Sequence, residues 1–434
     1  MIWCIVLCSK IFGFSEFSVR LPSTLAALAL CIYLFFSLRR VTGNDMYGFI
    51  VVAVLVTCHG YIRNHVTRTG EYDSLLVLFS TVFALHLFLA TEATEQKQQS
   101  KHLLLFFIFL TLAVLTKGVA PIMQAPGLGI FVILRKKLLP FLKNKFTYIG
   151  LGIFLLFGLG YYFLREIINP GYLQAVWENE LGGRFIGSQG HQGTFDFYWH
   201  EIIDWQFVEY IYLFPLALII GLVFSESSIC RLVLFAVITG LSFFLVVSTA
   251  ATKLPHYDAP LFPYLAIIMA SLFYFIYTSI KKRLLESKTY LIATAIAFIC
   301  VAVLFVRPYS QIISVVYFPK GDSWEEGLSV SCRIFQDAVR KKVDINSYKL
   351  LFTEGTQYGP RNVLTCYTQQ LKENGINTPI ITDAEGIQPN DTVVLFSYWG
   401  WEAAKKQFDV TALQHLDHCN ADVVVCKPKQ ALVQ

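Results

Sequence analysis

The sequence predicts an α-helical polytopic membrane protein with a small C-terminal α/β domain on the non-cytoplasmic side. Charged residues make up only 15% of the 434 residues, whereas soluble domains carry about 25%. Long apolar segments recur as far as residue 306, and the composition becomes mixed after Arg307. The net charge of +5 carries little information, because the position of charges matters more than their sum in a membrane protein.

Ten apolar segments approach the length of about 20 residues that a membrane-spanning helix needs. They lie at residues 21–38, 46–62, 74–91, 102–116, 119–134, 146–165, 206–225, 230–250, 259–280 and 288–306. The two segments that flank Lys117 are the shorter ones, so this region is either a broken helix or a tightly paired hairpin.

The orientation follows from the basic residues, which accumulate in alternate connections. One set of connections holds Arg39, Arg40, Lys97, Lys101, Arg135, Lys136, Lys137, Lys143, Lys145, Arg231, Lys281, Lys282, Arg283 and Lys288. Because cytoplasmic loops are enriched in Lys and Arg, this set is predicted to be cytoplasmic. Residues 1–20, 63–73, 166–205, 251–258 and everything after 307 then lie outside.

The predicted organisation is a partial juxtamembrane segment over residues 1–20, a transmembrane domain over 21–307 and an extracytoplasmic domain over 318–434. The first twelve residues lack the basic start and small-residue cleavage site of a signal peptide. The outer loop at 166–205 is long and aromatic, and long loops in compact proteins are usually functional or disordered. Its aromatic residues favour the functional alternative.

The C-terminal domain is predicted to alternate short strands and helices, which is typical of an α/β domain. Expected strands lie at 348–352, 378–382, 392–396 and 422–427, and expected helices at 334–341, 363–374 and 401–408. We find no phosphate loop, dinucleotide fingerprint or metal motif in it, so a structural or acceptor-positioning role is favoured. No pair of cysteines has the CxxC spacing of a zinc or redox site, and a disulfide among Cys332, Cys366, Cys419 and Cys426 is left open.

Acidic residues begin the helix that follows the second outer connection. Glu71 and Asp73 lie in Arg68-Thr69-Gly70-Glu71-Tyr72-Asp73, directly before an apolar run. An acid in the first turn of a helix is stabilised by the helix dipole, so either carboxylate fits a capping role. The functional alternative is a carboxylate at the membrane surface that orients a cation or a substrate hydroxyl.

Lys117 stands alone between two apolar segments, next to Gly118. A lysine inside a membrane is costly unless it snorkels to the interface or has a partner. Snorkelling is one interpretation. The other is a phosphate ligand, because Lys supplies a point charge and Gly lets the backbone approach closely.

Two further outer segments carry basic and phenolic side chains. Arg184 and His191 lie in the long loop, while Lys253, His256 and Tyr257 share one short connection. Arginine binds phosphate bidentately, although a loop arginine is commonly only solvated. The Lys-His-Tyr grouping either surrounds an anion or has arisen by chance.

Five short motifs together resemble the GT-C glycosyltransferases, in particular the lipid A aminoarabinose transferases and the bacterial protein O-mannosyltransferase family. The likeness covers roughly residues 5–270 and its landmarks occur in the family's order. They are Phe12-Gly13-Phe14-Ser15-Glu16-Phe17 continuing to Arg20-Leu21-Pro22, Thr69-Gly70-Glu71-Tyr72-Asp73, Leu115-Thr116-Lys117-Gly118, Trp177-Glu178-Asn179 through Arg184-Phe185 and His191, and Lys253-Leu254-Pro255-His256-Tyr257.

The resemblance implies a role for each matching residue. Lys117, Arg184 and Tyr257 match positions that hold the polyprenyl phosphate, and Asp73 matches an acidic residue of the active-site cavity. Lys253 and His191 lie in matching motifs without a firm role, and Glu71 and His256 are further site candidates. The implied reaction transfers a sugar, with inversion, from a polyprenyl-phosphate carrier to a lipid, protein or glycan on the extracytoplasmic face.

The resemblance also leads us to expect a missing piece, because family members begin with another helix and an outer loop that bears an Asp-Glu pair. Glu16 is the first acid of this sequence. We therefore expect the phosphate half of the site to be present and the catalytic-base half to be absent, with a truncated or misplaced start as the explanation. No metal or cofactor is required by this interpretation, and no nucleic-acid partner is expected.

Two other functions compete with the enzyme. A polytopic transporter or lipid flippase would need polar residues or broken helices at the membrane midplane, whereas these spans are almost free of charge. A non-catalytic membrane scaffold that presents the C-terminal domain is the remaining alternative.

Overall fold

The computed structural model describes residues 1–187, 191–286, 288–318, 332–351, 361–396, 398–417, 419 and 421–429. These residues divide into two compact units, Met1–Ile312 and Ile313–Gln434. The first unit is helical and the second contains a small sheet, which confirms the predicted fold class.

The first half of the helical unit consists of five long or medium helices followed by a broken region. The helices are α1 (Ile2–Phe12), α2 (Glu16–Thr42), α3 (Asp45–Val56), α4 (Asp73–Glu92) and α5 (Gln96–Lys117). A 3₁₀ turn (Ala120–Gln124) then leads into α6 (Ala125–Leu134), and the short α7 (Leu138–Leu142) follows.

The second half contains helices that are interrupted by π-helical turns. They are α8 (Lys145–Ile153), a π turn (Phe154–Leu159), α9 (Gly160–Ile168), α10 (Tyr172–Val176), a π segment (Trp177–Ile186), α11 (Phe197–Glu201), a π turn (Ile202–Gln206), α12 (Val208–Ile211), α13 (Phe214–Ile219), a π turn (Ile220–Phe224), α14 (Ser227–Thr249), a 3₁₀ turn (Ala259–Leu261), α15 (Phe262–Leu284), α16 (Tyr290–Leu304) and α17 (Val306–Tyr317).

Six helices of the described chain are long and apolar enough to cross a membrane. They are Glu16–Thr42, Asp73–Glu92, Gln96–Lys117, Lys145–Ile168, Ser227–Thr249 and Ala259–Leu284. The pair α16 and α17 qualifies jointly with a bend of 44°, and the segments at 45–56, 120–134 and 214–224 are shorter apolar helices. Each of the ten predicted segments thus contains apolar helix, but fewer than ten reach spanning length. The chain is a multi-pass membrane protein, and ten crossings stay a prediction.

Polar side chains link the helices inside the bundle. The Tyr47 hydroxyl donates to the Ile267 carbonyl at 2.8 Å, and the Tyr264 hydroxyl donates to Gln124 Oε1 at 2.6 Å. Hydrogen bonds between membrane helices stabilise their association modestly. They fix α3 and the turn before α6 against the long, largely buried α15.

The two ends of α4 carry different chemistry. Glu92 at its C-terminal end binds Arg135 at 2.9 Å and Arg231 at 2.7 Å, both of which belong to the predicted cytoplasmic set. Asp73 at its N-terminal end binds Lys117. The 20 residues of α4 span about 30 Å, which is about the thickness of the hydrocarbon core.

The outer loop at 166–205 is more regular than expected. Short helices at Tyr172–Val176 and Phe197–Glu201 and the π segment Trp177–Ile186 occupy much of it, and Gln192 forms a β-bridge with Thr252. Most of the aromatic residues that argued against disorder therefore belong to helical turns, whereas Phe195 lies in a turn directly before the helix Phe197–Glu201.

The C-terminal unit contains a five-stranded mixed sheet with strand order β2-β1-β3-β5-β4. Its elements are α18 (Arg333–Val339), β1 (Lys349–Leu351), α19 (Arg361–Glu373), β2 (Ile380–Ile381), a 3₁₀ turn (Ala384–Gly386), β3 (Thr392–Leu395), α20 (Tyr398–Gln407), β4 (Phe408–Leu416) and β5 (Ala421–Pro428). Strands β1, β2 and β3 are parallel, and β5 pairs antiparallel with both β3 and β4.

Every predicted strand and helix of this unit overlaps an observed one, but β4 was not predicted. β4 is an edge strand whose side chains are mostly exposed, so it lacks the apolar alternation that marks a strand. The question of a disulfide is answered only in part. Cys419 and Cys426 are buried free thiols. Cys332 is buried as well, and the side chain of Cys366 lies outside the described part of the chain.

Candidate active site

The acidic connection before α4 is held in place by α2. Ser15 and Ser18 form a reciprocal capping box at the start of α2. A Cβ added to Gly70 would lie 2.4 Å from Val19 Cγ1 and 2.9 Å from the Val19 carbonyl oxygen. The Ser23 hydroxyl donates to the Glu71 carbonyl at 3.0 Å. The start of α2, which contains the first of the five motifs, therefore holds the backbone of the acidic motif Thr69–Asp73 in place.

Asp73 and Lys117 form a buried ion pair at the ends of α4 and α5. Lys117 Nζ lies 2.5 Å from Asp73 Oδ1, and the two side chains are 11% and 1% exposed. Breaking such a pair costs about 3–5 kcal/mol, because the remaining charge is buried without compensation. The second oxygen, Asp73 Oδ2, is buried and accepts no hydrogen bond from the described residues.

Two tyrosine rings bracket the ammonium group of Lys117. Its Nζ lies 4.7 Å from the ring centroid of Tyr257 and 5.1 Å from that of Tyr72, within the range of a cation–π interaction. Gly118 ends α5 with φ +52° and ψ −125°, a conformation that a residue with a Cβ rarely adopts. The glycine thus turns the chain immediately after the lysine and keeps the ammonium at the end of the helix.

The connection 251–258 is held in place by polar contacts with the side chains of Tyr198 and Gln206. Gln206 Nε2 donates to the Pro255 carbonyl at 2.6 Å and to Asp258 Oδ1 at 3.4 Å, and the Tyr198 hydroxyl donates to the Leu254 carbonyl at 3.2 Å. Burial raises the pKa of the Asp258 carboxyl well above its ordinary value, against the smaller opposing effect of Arg63. The buried Asp258 therefore anchors the loop that presents Tyr257.

Lys253 has a different environment from Lys117. Its side chain is 4% exposed, and its Nζ donates to the Ser248 carbonyl at 2.5 Å. The backbone N–H of Lys253 donates to the His191 carbonyl at 2.8 Å. A cation at the C-terminal end of a helix satisfies the last carbonyls, and burial lowers the pKa of this ammonium. Lys253 therefore caps α14 and joins two outer loops.

A histidine that the sequence analysis did not select lies beside the ion pair. His65 Nδ1 is 2.5 Å from Glu71 Oε1, and the His65 ring stacks on the His256 ring at 4.7 Å with an interplanar angle of 22°. The His256 ring in turn contacts Tyr257 edge to face at 5.1 Å. Glu71 and His256, both weak candidates from sequence, thus meet through His65. The only sequence signal that could have pointed to His65 is its position shortly before Arg68 and the acidic motif.

A pocket with a cavity volume of about 50 Å³, which is partly open to the surface, lies beside Lys117. Its polar lining comes from Lys117, Tyr257, Glu180 and Thr252. The remaining wall is apolar and consists of Leu76, Val119, Ala120, Met123, Phe185, Phe243, Val247, Ala250 and Pro260. A cationic and phenolic group at one side of an apolar pocket suits an amphipathic ligand that has an anionic head and a hydrocarbon tail.

The two candidates of the long outer loop are not brought together with Lys117 by any described contact. Arg184 lies in the π segment Trp177–Ile186, and its side chain is outside the described part of the structure. His191 is exposed, and its backbone carbonyl binds Lys253. Glu180, from the same π segment, does reach the pocket: its Oε2 lies 3.5 Å from the position of a Cβ on Gly118.

The comparisons with known proteins agree with the fold. Residues 1–161 match the family model described as dolichyl-phosphate-mannose-protein mannosyltransferase. An uncharacterized protein of Aquifex aeolicus (strain VF5) is 29% identical over 272 residues, which are 62% of this chain and 51% of that protein. The chain thus spans about half the length of the curated relative that it matches.

Two crystal structures of ArnT from Cupriavidus metallidurans match the whole architecture. The structure bound to undecaprenyl phosphate superposes with a TM-score of 0.58 and the apo structure with 0.62. Both are 14% identical in sequence, and the match covers 98% of this chain and 86% of ArnT. The chain is therefore a polytopic membrane protein whose fold is similar to that of ArnT.

Proposed function

We propose that the protein is a glycosyltransferase that takes a sugar from a polyprenyl-phosphate carrier and transfers it to an acceptor on the extracytoplasmic face of the membrane. The observation that carries the proposal is the position of Lys117, whose ammonium contacts two tyrosine rings and lines a largely apolar pocket. The family match over residues 1–161 and the undecaprenyl phosphate bound by the structurally similar ArnT support it.

Each part of the pocket has a role in this proposal. The apolar wall holds the first isoprene units, and Lys117 and Tyr257 bind the phosphate as donors of charge-assisted hydrogen bonds, which are the strong ones. Because the phosphate is the leaving group, stabilising its negative charge is the main electrostatic task of the site. The ammonium of Lys117 has three N–H donors, so it can bind a phosphate oxygen while it remains paired with Asp73.

The proposed reaction proceeds with inversion at the anomeric carbon. An acceptor hydroxyl attacks this carbon from the face opposite the phosphate, and the bond from the carbon to the phosphate oxygen breaks with its electron pair left on that oxygen. Asp73 Oδ2, which is buried and receives no hydrogen bond from the described residues, would orient a hydroxyl of the sugar or the acceptor. The nature of the sugar and whether the acceptor is lipid, protein or glycan are left open by this chemistry.

The test is binding of undecaprenyl phosphate to the full chain in nanodiscs. Lys117→Ala should weaken binding roughly 10- to 100-fold, because a hydrogen bond to a charged group contributes about 1.5–3 kcal/mol. Since this change leaves Asp73 unpaired, the double variant Lys117→Met, Asp73→Asn provides a second, neutral form of the site that should bind equally weakly.

Lys281→Ala is the matched control for this test. Lys281 also lies over a tyrosine ring, that of Tyr290 at 4.1 Å. It is in the last turn of α15, whereas Tyr257 of the pocket precedes the first turn of this helix. Its removal should leave undecaprenyl phosphate binding unchanged. Equal affinity of the wild type and both Lys117 variants would eliminate the proposed phosphate site, and with it the enzymatic function.

A further inference from the structure

The pocket beside Lys117 is lined by a carboxylate as well as by a cation. Glu180 contributes to its wall together with Lys117 and Tyr257. The ammonium and the phenol suit the phosphate of the carrier, whereas a carboxylate repels a phosphate and accepts hydrogen bonds from hydroxyl groups. Glu180 therefore fits a part of the ligand other than its phosphate.

We propose that Glu180 recognises the sugar of the carrier by accepting hydrogen bonds from its hydroxyl groups, and thereby helps to determine which donor the protein uses. The inference rests on the proposed function and deepens it, because it assigns the glycosyl side of the same pocket. Since the sugar is bonded directly to a phosphate oxygen, a phosphate held by Lys117 brings the sugar into this pocket or to its mouth.

The Glu180 carboxylate lies next to the residue that follows the lysine. A Cβ placed on Gly118 would lie 3.5 Å from Glu180 Oε2 and 3.5 Å from the Tyr162 hydroxyl. The two side chains thus converge beside the end of α5, one residue beyond Lys117. A carboxylate accepts hydrogen bonds, and a phenol both donates and accepts them, so the pair complements hydroxyl groups, which also do both.

The π-helical segment Trp177–Ile186 directs Glu180 into the pocket. Glu180 and Phe185 both line the pocket and are five residues apart in this segment. Because a π-helix bonds residue i to residue i+5, residues five apart lie on nearly the same side, whereas in an α-helix they would be about 140° apart. The Ala251 N–H donates to the Phe185 carbonyl at 2.9 Å, which ties the segment to the connection that carries Tyr257.

The surroundings of Glu180 differ from those of the other acid in this segment. Glu178 is exposed and accepts a hydrogen bond from Gln174 Nε2 at 2.8 Å. Glu180 is half-buried at the wall of the pocket, and among the described residues its carboxylate forms neither a hydrogen bond nor an ion pair. A partly buried carboxylate needs donors to offset its lost hydration, and the hydroxyl groups of a sugar supply them.

The test measures binding of four lipids to the full chain in nanodiscs: undecaprenyl phosphate, and undecaprenyl phosphate that carries mannose, glucose or galactose. Glu180→Gln keeps the size of the side chain and removes its charge. It should weaken binding of at least one sugar-loaded carrier about 10-fold, because a hydrogen bond to a charged acceptor is roughly twice as strong as one to a neutral acceptor. Binding of undecaprenyl phosphate itself should stay the same or become tighter, since a negative charge leaves the wall of the pocket.

Two further variants separate recognition of the sugar from a structural role. Glu180→Asp keeps the charge but withdraws the carboxylate by one methylene group. It should weaken binding of the same loaded carrier and leave binding of undecaprenyl phosphate unchanged. Glu178→Gln is the matched control, because it removes the exposed carboxylate of the same segment, and its affinity for each of these lipids should equal that of the wild type.

The outcomes distinguish the two proposals. Equal affinities of the wild type and Glu180→Gln for every loaded carrier, or an equal loss of affinity for loaded and unloaded carriers, overturns the role of Glu180 and leaves the phosphate site standing. Lys117→Ala, by contrast, should weaken binding of loaded and unloaded carriers alike. Unchanged binding of all of them in Lys117→Ala overturns the proposed function itself.

Discussion

At the scale of single residues, Lys117 and Lys253 have similar surroundings in the sequence but different environments in the structure. Lys117 lies at the edge of a pocket, paired with Asp73 and flanked by tyrosine rings. Lys253 donates to the final carbonyls of α14. Both sit next to apolar runs, so composition cannot separate a ligand-binding cation from a capping one. Only the turn that follows each lysine decides where its ammonium points.

Asp258 provides a prediction at the residue scale, because its carboxyl is fully buried and its pKa is raised well above 3.8 by burial. The folded state therefore binds the proton more tightly than the unfolded state does. Stability should fall as pH rises from about 3.8 toward the raised pKa. Asp258→Asn, which mimics the neutral carboxyl, should remove this contribution and flatten the pH dependence of the unfolding midpoint.

The measurement is thermal unfolding of the full chain in detergent between pH 5 and 8. Asp204→Asn serves as the control, because Asp204 lies in a nearby turn but is 59% exposed and should leave the pH dependence unchanged. An equal pH dependence in Asp258→Asn and in the wild type would show that the carboxyl is already charged in the folded protein over this pH range.

At the scale of elements, the site depends on one helix being packed against one connection. α2 contributes no candidate site residue, yet its Val19 and Ser23 contact the acidic motif directly. Motifs that are distant in sequence thus converge because one supports the backbone of the other. This relation explains why a serine-rich helix start accompanies the acidic loop.

Gly70 tests this packing. A Cβ at Gly70 would approach both the side chain and the backbone of Val19, at 2.4 and 2.9 Å, so Gly70→Ala must move the loop. Such overpacking costs about 1–3 kcal/mol, and the displaced Glu71 and Asp73 should lower turnover as well. The measurements are the unfolding midpoint of the full chain and the transfer rate.

Gly129→Ala is the control for Gly70→Ala. A Cβ at Gly129 in α6 meets nothing within 4 Å, and alanine is the better helix former. Its midpoint should stay the same or rise slightly. If Gly70→Ala matched it in midpoint and rate, the proposed support of the acidic loop by α2 would be wrong.

The sequence predicted the apolar helices and the parallel strands well, because their periodicity and length are local properties. It missed β4, since an exposed edge strand has no apolar alternation, and it described 166–205 as an irregular loop, since π-helical turns have no simple sequence pattern. In the site, the lysine, the tyrosine and the acid were predicted from chemistry and order. His65 and Glu180 were missed because their proximity depends on tertiary packing.

At the scale of the whole molecule, the helical unit separates its charges along the direction of α4. Asp73 and Lys117 meet at one end, and Glu92, Arg135 and Arg231 meet at the other. The length of α4 matches the hydrocarbon core, so the two clusters fit opposite membrane surfaces. The basic cluster coincides with the loops that the sequence assigns to the cytoplasm.

This separation predicts the orientation of the protein. Because the end with Arg135 and Arg231 is expected to face the cytoplasm, the site should face the other side. The distribution of basic residues in the sequence independently predicts that the chain after residue 307 is extracytoplasmic. Alkaline phosphatase needs disulfides and folds only in an oxidising compartment, so it reports the side on which it is placed. A fusion at the C-terminus of the full chain should be active, and an insertion after Lys143 should be inactive.

A green fluorescent protein placed at the same two positions should give the reverse pattern, which guards against fusions that fail for lack of expression. An active phosphatase after Lys143 together with an inactive one at the C-terminus would put Lys117 and Asp73 at the cytoplasmic surface. Acceptors outside the cell would then be out of reach of the site. The charge clusters at the two ends of α4 thus make the side of the reaction a consequence of the same helix that positions the acid.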